Sequence, residues 1–451
     1  MPTIRLILVR GTGQRTRLLR TRNRSLRFHT TVNADETLET IREYFRESWS
    51  CEVHALKWLF PADLFLGKRS SPPYLVLHVD RPNRLSHRET PFVCAKATSQ
   101  HGAQGDLAIL RLATRRSPIQ PWSEPVWLKR TEDWLVTHLG SEAVRDIRQV
   151  RVNATGAVLK FTGGMGACFF LKALPPFLAY ETRLLATLHD KLPNVCATLL
   201  QVHRDKNFHI TCAIDGVPLE TISELKKWKV ALASVTEMQI AASRHLGDLQ
   251  LAGVPFQTLK NLYGSLEASL CLLLSMGACA PNRLNRAERK LIPVLAAKAR
   301  GDFECLGECG LPETIIHGDL NESNVFLTST SQAKFIDWSF SRLGHPFFTL
   351  ENCLFSTFQG GHRMFNVHEQ LRAAYIEPWQ AYASRKLLFS GLRAAHRLIP
   401  LEAAISMAEH IRDLEAYEPG NVRYIPLLLR KAMVRFGLCD GPSLPSALGR
   451  A

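Results

Sequence analysis

Four polar residues near position 320 follow apolar runs and could bind a cation. The stretch IIHGDLNESNVF places His317, Asp319 and Asn324 behind two isoleucines, and FIDW places Asp337 behind another apolar pair. A carboxylate beside an apolar strand is costly unless a partner offsets its charge. Because carboxylate and amide oxygens are ligands that Mg²⁺ accepts, this pattern indicates a cation site.

The elements that position these residues follow a definite order along the chain. A predicted strand carries Lys172 in FFLKAL, and a predicted helix begins with Glu181 in YETRLL. Further strands and a helical region follow, interrupted by a strand-like hairpin with the pattern H-x-D-x-x-x-x-N. This order resembles the layout of a protein-kinase-like phosphotransferase. The spacing of five between Asp319 and Asn324 is that of the kinase catalytic loop.

Phosphoryl transfer explains why these residue types are needed. Asn324 and Asp337 offer oxygen ligands for Mg²⁺, as hard cations require. Asp319 is placed to orient an acceptor hydroxyl and accept its proton, and His317 to support the loop by hydrogen bonds. Lys172 could contact the α- and β-phosphates of a donor such as ATP, with Glu181 holding the lysine in place.

The motifs also resemble those of a known family. HGDLNESNV followed by FIDWSFSRLGHPFF resembles the signature of the aminoglycoside phosphotransferase family. Choline kinase relatives share the core of that family. VRVNATGAVLKF resembles the family's first hairpin, FFLKALPPFLAYETRLL its Lys-to-Glu segment, and LASVTEMQIAASRHLGDLQLAGVP its long helix. The resemblance extends over roughly residues 120–440.

The resemblance implies ATP and Mg²⁺ as cofactors and assigns a role to each motif residue. It implies that Asp319 is the catalytic base and that Asn324 and Asp337 are the metal ligands. Lys172 and Glu181 become the phosphate-positioning pair by the same resemblance. It also implies that the adenine lies against the strand near Cys212 to Ile214, where backbone groups read its edge.

The sequence departs from the family pattern in two places. It has no G-x-G-x-x-G phosphate loop, and the best candidate, VNATGAV, contains a single glycine. TGGMG (162–166) is better interpreted as a hairpin turn between strands. Many family members have an Asp three residues after the conserved proline of the second motif, whereas this chain has Thr349 after Pro346.

Each candidate residue also has a purely structural interpretation. Asp and Asn often serve as turn residues and caps, which would account for Asp319, Asn324 and Asp337 without any chemistry. Lys172 would then be an ordinary strand lysine. Glu181 would be a first-turn acid that suits the helix dipole.

The leading hypothesis is an ATP- and Mg²⁺-dependent kinase that transfers the γ-phosphoryl group to a hydroxyl of a small molecule. An aminoglycoside is the less expected acceptor, because the segment starting RLNRAERK (283–290) is basic rather than acidic. The alternative is a catalytically weak, pseudokinase-like binding or scaffold protein. The missing glycine-rich loop, Thr349 and the long N-terminal addition motivate that alternative.

The order of the motifs and the family resemblance imply an α+β, protein-kinase-like fold of two lobes, and an extra N-terminal domain is expected before it. Residues 1–120 alternate apolar and polar residues and are expected to form an accessory α+β or β-rich domain. Within it, TIREYFRESWS distantly resembles the helix of Nudix hydrolases but lacks most of the acids of that motif. This pattern indicates a Nudix-like fold without hydrolase activity. Residues 121–220 are predicted as the small antiparallel sheet lobe, and 221–451 as the helical lobe with the catalytic hairpin.

Composition narrows the remaining function classes. The net charge is +15, but no aromatic stacking platform or zinc finger accompanies the arginines, so nucleic acid is not expected as a partner. No apolar stretch reaches the roughly 20 residues that span a bilayer, and no secretory signal is recognised. The 11 scattered cysteines suit reduced thiols. We therefore expect a cytoplasmic protein without a membrane partner, with a small-molecule substrate and a possible protein partner on residues 1–120.

Overall fold

A computed structural model describes residues 120–439 apart from 125, 142–143, 204, 355–367 and 418–420. Nearer the N-terminus it describes six strands and the helical residues 41, 43, 45 and 46. The predicted strand LAILRLAT (107–114) lies outside the described residues. These described residues form two compact units, which are treated separately below.

The first unit contains Met1–Pro176, His203–Ile210 and Asp413–Asn421. Its strands are β1 Thr3–Arg10, β2 Arg17–Thr21, β3 Leu26–His29, β4 Val53–Leu59, β5 Tyr74–Val79, β6 Phe92–Cys94, β7 Arg145–Asn153, β8 Gly156–Thr162 and β9 Cys168–Ala173. Two more strands, β10 Leu199–His203 and β11 Phe208–Cys212, belong partly to this unit and partly to the second.

The N-terminal sheet has the strand order β4-β5-β1-β2-β6, with β3 also paired to β1. Strands β1 and β5 are parallel, and the other pairings are antiparallel. Ile41 and Phe45, expected on the buried face of a helix, are 1% and 0% exposed. They belong to one hydrophobic core with Trp122 and Leu135.

The second sheet has the order β10-β11-β9-β8-β7 and carries Lys172 on β9. Strand β8 pairs antiparallel with both β7 and β9, as the sequence predicted. The predicted turn in TGGMG is a short 3₁₀ segment, Gly164–Gly166, between β8 and β9. Alternating burial along β8 explains why this sequence forms a strand with one face in the core.

The boundary helix was predicted with the wrong start. The segment QPWSEPVWLKRTEDWLVTHLG (120–140) predicts a helix that Ser123 caps and Gly140 stops, but the helix α1, Trp127–Leu139, begins four residues after Ser123. Pro121 starts a 3₁₀ turn instead, in which the Ser123 hydroxyl donates to Gln120 O at 2.7 Å. Gly140, with φ +87°, ends the helix as expected because a left-handed residue favours glycine.

The second unit contains Phe177–Val202, Thr211–Arg412 and Val422–Ala451 and is mostly helical. Its helices, numbered after α1, include the long α11, which continues a few residues beyond the unit boundary. They are α2 Tyr180–Lys191, α3 Leu225–Ala242, α4 Leu246–Leu251, α5 Leu259–Gly264, α6 Leu266–Gly277, α7 Arg286–Lys290, α8 Ile292–Glu308, α9 Phe347–Leu354, α10 His368–Ile376, α11 Arg385–Tyr417 and α12 Tyr424–Arg435.

The predicted long helix of this unit is interrupted. Leu232, Val235 and Leu249 are buried at helical spacing, as expected. A 3₁₀ turn, Ser243–His245, separates α3 from α4 between them. Across the described part of the chain, no helix combines the length and apolarity needed to cross a membrane.

Short strands carry the catalytic motifs within the helical unit, as the sequence predicted. Strand β13, Thr314–Ile316, pairs antiparallel with β16, Arg342–Gly344. Between them in sequence, β14, Val325–Thr328, forms a hairpin with β15, Ala333–Phe335. The strand β12, Gly216–Pro218, adds to the open side of β14. The loops that join these strands contain the candidate site.

Candidate active site

The first loop of the site starts where β13 ends and turns at Gly318. This glycine has φ +81°, in the left-handed region. A Cβ atom at this position would lie 1.9 Å from the carbonyl oxygen of Phe340. Because no side chain fits that space, the close approach of the two chain segments depends on glycine.

His317 supports this loop from inside the protein. Its side chain is 0% exposed, and Nε2 donates to the carbonyl oxygen of Ile336 at 2.9 Å. The ring lies 4.5 Å from the Trp338 ring, centroid to centroid. The Ser341 hydroxyl donates to the His317 carbonyl at 3.2 Å. His317 therefore makes the loop-supporting contact that its sequence position suggested, and it joins the loop after β13 to the segment around Asp337.

Two amide side chains surround the carboxylate of Asp319. Asn324 Nδ2 donates to the Asp319 carbonyl at 2.8 Å and lies 3.4 Å from Oδ2. Asn321 Nδ2 lies 3.3 Å from Oδ1, while Asn321 Oδ1 accepts from the Ser323 amide and hydroxyl at 3.0 and 2.5 Å. The sequence analysis had not singled out Asn321 or Ser323. These contacts hold the Asp319 carboxylate in an orientation set by its own loop.

The second loop, which carries Asp337, is joined to the first by the backbone. The Ile336 amide donates to the carbonyl oxygen of Asn324 at 3.0 Å. Asp337 follows with φ +64°, a left-handed conformation that a non-glycine residue adopts only at a cost. The structure thus brings Asp319, Asn324 and the segment leading to Asp337 together, although Asp337 is 13 residues beyond Asn324.

Residues at the start of α2 reach the segment after Asp337. Glu181 is 1% exposed, and its Oε1 accepts from the Trp338 amide at 3.0 Å. Its Oε2 accepts from the Ser339 hydroxyl at 2.6 Å. The neighbouring Tyr180 hydroxyl donates to the carbonyls of Ser339 and Ser341, at 2.5 and 3.1 Å. Burial, followed by the charge of Glu181, raises the pKa of Tyr180, so its hydroxyl stays protonated.

The donor set fits a cation shared with a phosphate group. No three His, Cys, Asp or Glu residues cluster at metal-binding distances in the described residues. As predicted ligands, Asn324 and Asp337 would contribute one amide and one carboxylate oxygen, because Asn324 Nδ2 is directed at Asp319. Mg²⁺ is typically bound through one or two carboxylates plus substrate phosphate oxygens, rather than by an all-protein cage.

Lys172 lies on β9 of the first unit and is half-buried. The β7–β8 turn of VNATGAV closes beside it: a Cβ on Gly156 would lie 3.9 Å from Lys172 Cε and 2.9 Å from Ala173 O. Asn153 Oδ1 fixes this turn by accepting from the amides of Thr155 and Gly156 at 3.0 and 3.1 Å. Lys172 and Glu181 belong to different units, and their pairing stays a prediction.

The predicted adenine strand contributes fewer features. Cys212, at the end of β11, uses its amide to donate to Thr198 O at 2.9 Å. Ile214 follows outside the strand, and its Cγ2 lies 3.4 Å from the point that a Cβ on Gly216 would occupy. Both residues are half-buried. Their role toward a nucleotide stays a prediction.

A buried polar cluster behind the first loop was not anticipated from the sequence. Gln239 of α3 is 0% exposed, and its Nε2 donates to Ile315 O, Pro346 O and Thr349 Oγ1 at 3.2, 3.2 and 3.0 Å. The Tyr375 hydroxyl donates to Gln239 Oε1 at 2.6 Å. Thr349, the departure from the family pattern, is therefore a hydrogen-bonded partner of Gln239.

Comparison with known proteins agrees with this fold. The model of the phosphotransferase enzyme family matches residues 122–388. An ethanolamine kinase of Plasmodium vivax has a similar structure, with TM-score 0.50, 13% identity, and coverage of 69% of this chain and 91% of that one. At such low identity, this likeness concerns the fold alone. No curated protein matches the sequence.

Two further structures show weaker similarity. A choline kinase from Streptococcus pneumoniae has TM-score 0.46 and 13% identity, with 68% of this chain and 99% of that chain covered. An aminoglycoside phosphotransferase solved with ADP and hygromycin B has TM-score 0.42 and 17% identity, with 66% and 98% covered.

The fold is thus an α+β kinase-like fold, in which an antiparallel sheet is followed in sequence by a mostly helical part. The family match covers more than half of the 451 residues, so the chain belongs to the phosphotransferase enzyme family. It is a small-molecule kinase, a phosphotransferase with an alcohol group as its acceptor.

Proposed function

We propose that this protein uses Mg²⁺ and ATP to transfer the γ-phosphoryl group to a hydroxyl of a small molecule. The observation that carries the proposal is the junction of the two loops. Asn324 donates to Asp319 through its side chain and accepts from the Ile336 amide through its carbonyl. A candidate base and two candidate cation ligands therefore lie in one hydrogen-bonded structure.

The proton of the acceptor hydroxyl is assigned to Asp319. Asn321 and Asn324 face its two carboxylate oxygens, which supports a carboxylate held in one orientation. Positioning of this kind supplies most of the catalysis in phosphoryl transfer, because the reaction needs little covalent chemistry from the protein. His317 is assigned to holding this catalytic loop, through its hydrogen bond to the Ile336 carbonyl.

The phosphate end of the nucleotide is assigned to four polar or charged residues. Asn324 and Asp337 would hold Mg²⁺, which when bound neutralises charge on the transferred phosphoryl group. Lys172, beside the Asn153–Gly156 turn, is assigned to the donor phosphates, and Glu181 is kept as its proposed partner. The ADP present with a relative of known structure is consistent with an adenine nucleotide as the donor.

The adenine is assigned to the segment from Cys212 to Ile214. The Cys212 amide already donates to Thr198, so Ile214 is the better candidate to read the adenine edge through its backbone. This assignment follows the family resemblance rather than a contact in the structure. We also propose that residues 121–220 and 221–451 act as the two lobes, and that residues 1–120 form an accessory domain.

The acceptor is proposed to be a small alcohol. The similar structures include kinases of ethanolamine and choline and an enzyme solved with hygromycin B, so these three compounds form the first panel. The surface around α7 is basic, with Arg286, Arg289 and Lys290 exposed. An aminoglycoside carries more positive charge than choline or ethanolamine, so the basic character of this part of the helical unit favours the two smaller acceptors.

The test is ADP release with each acceptor, followed by detection of the phosphorylated product. Wild-type protein should release ADP with at least one alcohol and require Mg²⁺. The isosteric variant Asp319→Asn should lower turnover by about 10² to 10⁴, the range for loss of a general base, while still binding ATP. Full turnover by Asp319→Asn would overturn the role of this residue. Absence of any Mg²⁺-dependent nucleotide binding would favour a pseudokinase-like scaffold.

A further inference from the structure

The first turn of α2 contains two buried polar residues that point to one loop. Tyr180 is 6% exposed and Glu181 is 1% exposed. An acid that merely suits a helix dipole can remain in water, whereas a buried carboxylate needs hydrogen-bond donors. Both residues find their partners in the four residues that follow Asp337, and this cluster is called the α2 clamp below.

The α2 clamp consists of Tyr180, Glu181 and residues 338–341. Glu181 accepts from the Trp338 amide at 3.0 Å and from the Ser339 hydroxyl at 2.6 Å. Tyr180 donates to the carbonyls of Ser339 and Ser341 at 2.5 and 3.1 Å. Two side chains thus engage both donors and acceptors of the same short segment, which restricts its position and its rotation.

The restricted segment begins directly after a strained residue. Asp337 has φ +64°, and such a conformation persists only where its surroundings determine it. The amide that Glu181 accepts from belongs to the peptide bond on the C-terminal side of Asp337. Rotation of that peptide would break this bond, so the carboxylate of Glu181 favours the observed backbone at Asp337.

We propose that the α2 clamp is a positioning device for Asp337 and sets the affinity of the site for its divalent cation. This inference rests on the proposed function, because it takes Asp337 as a cation ligand. It differs from the pairing of Glu181 with Lys172 in what it predicts. A phosphate-positioning residue affects nucleotide affinity, whereas a clamp on Asp337 affects the concentration of Mg²⁺ that is needed.

Ser339→Ala tests the clamp most selectively. It removes one hydroxyl that donates to Glu181 and leaves the carboxylate, Lys172 and Asp337 in place. Tyr180→Phe removes the hydroxyl that donates to the carbonyls of Ser339 and Ser341. Thr187→Ala is the matched control on the same helix, because its hydroxyl donates only within α2, to Arg183 O at 3.1 Å.

The measurement is the Mg²⁺ concentration that gives half-maximal ATP turnover, together with ATP affinity in EDTA. Residues that orient metal ligands typically change metal affinity by 10- to 100-fold, so Ser339→Ala and Tyr180→Phe should each raise the half-maximal Mg²⁺ about 10-fold. Their ATP affinity in EDTA should stay at the wild-type value. Thr187→Ala should match the wild type in both measurements.

Two results would overturn the inference alone. One is an unchanged Mg²⁺ requirement in both clamp variants. The other is a loss of ATP affinity in EDTA with no change in the Mg²⁺ requirement, which would assign the clamp to the phosphates. If the wild-type protein itself shows no Mg²⁺-dependent use of ATP, the proposed function fails as well, and that outcome is visible before any variant is made.

Discussion

Glu181 and Glu351 are both buried acids in the helical unit, but different groups satisfy them. Glu351 of α9 is 0% exposed and binds Arg372 at 3.1 Å and His396 Nδ1 at 2.9 Å. The donors to Glu181 described above are a backbone amide and a hydroxyl of a loop. A carboxylate bound by side chains from other helices fixes helix packing. A carboxylate bound by a loop backbone fixes the loop, and here that loop carries Asp337.

The loop side of this comparison depends most strongly on Gly318. In Gly318→Ala the new Cβ would lie 1.9 Å from Phe340 O, so the loop must move by about 1 Å. A misplacement of that size typically lowers turnover by about 10². Measured turnover should therefore fall at least that far. Gly301→Ala in α8, where a Cβ meets nothing within 4 Å, should keep wild-type turnover and gain up to about 1 kcal/mol of stability, because alanine favours a helix interior over glycine. Equal turnover in the two variants would show that the loop adapts.

The helix side of the comparison should lose stability rather than activity. Glu351→Gln removes the charge that Arg372 binds, and Arg372 is only 13% exposed. Breaking a buried ion pair from one side typically costs about 3–5 kcal/mol. The free energy of unfolding, measured with urea, should fall by that amount, while turnover per folded molecule stays close to wild type.

The control for this experiment is the outer partner of the same arginine. Glu369 binds Arg372 at 2.7 Å but is 74% exposed. Exposed pairs of this kind contribute under about 1 kcal/mol, so Glu369→Gln should be nearly neutral. If Glu351→Gln lowered turnover and left stability unchanged, the distinction between the two buried acids would be wrong.

Sequence alone predicted the candidate residues of the chemistry, and His317 as a support of their loop, but not the hydrogen-bond partners of Glu181. Asp319 and Asn324 stand at the spacing of the kinase catalytic loop. The partners of Glu181 are 157 and 158 residues away in sequence, so no local pattern indicates them. Ser123 failed as a cap because Pro121 began a separate 3₁₀ turn. Local signals identify elements, whereas long-range hydrogen bonds depend on how the chain folds back.

A third buried group, His345, adds a pH dependence to the helical unit. Burial lowers the pKa of His345 to about 3, from an ordinary value near 6.5. The unfolded chain therefore binds a proton that the folded chain rejects, and stability is lost as the pH falls below about 6.5, with the loss growing down to about 3. Between pH 7.5 and 5.5, the stability advantage of the wild type over His345→Gln should shrink by about 1.4 kcal/mol. A constant difference between those pH values would contradict this.

The smallest effect is expected at Thr349. Its hydroxyl is one of three acceptors around Gln239 Nε2, and Ile315 O and Pro346 O remain when it is removed. Thr349→Val should therefore cost about 1 kcal/mol of unfolding free energy. Turnover should change less than in Gly318→Ala, because Gln239 supports the loop from behind. A larger loss of turnover than of stability would place Thr349 closer to the chemistry.

The central claim is that Asp337 binds the cation that accompanies the nucleotide. The direct measurement is the thermal midpoint with and without Mg²⁺ and ATP, for wild type, Asp337→Ala and the exposed control Asp205→Ala. A ligand that binds only the folded state raises the midpoint. We expect Mg²⁺ to raise the thermal midpoint of the wild type and of Asp205→Ala in the presence of ATP, but not that of Asp337→Ala. An equal rise in all three proteins, or in none at millimolar nucleotide, would contradict it.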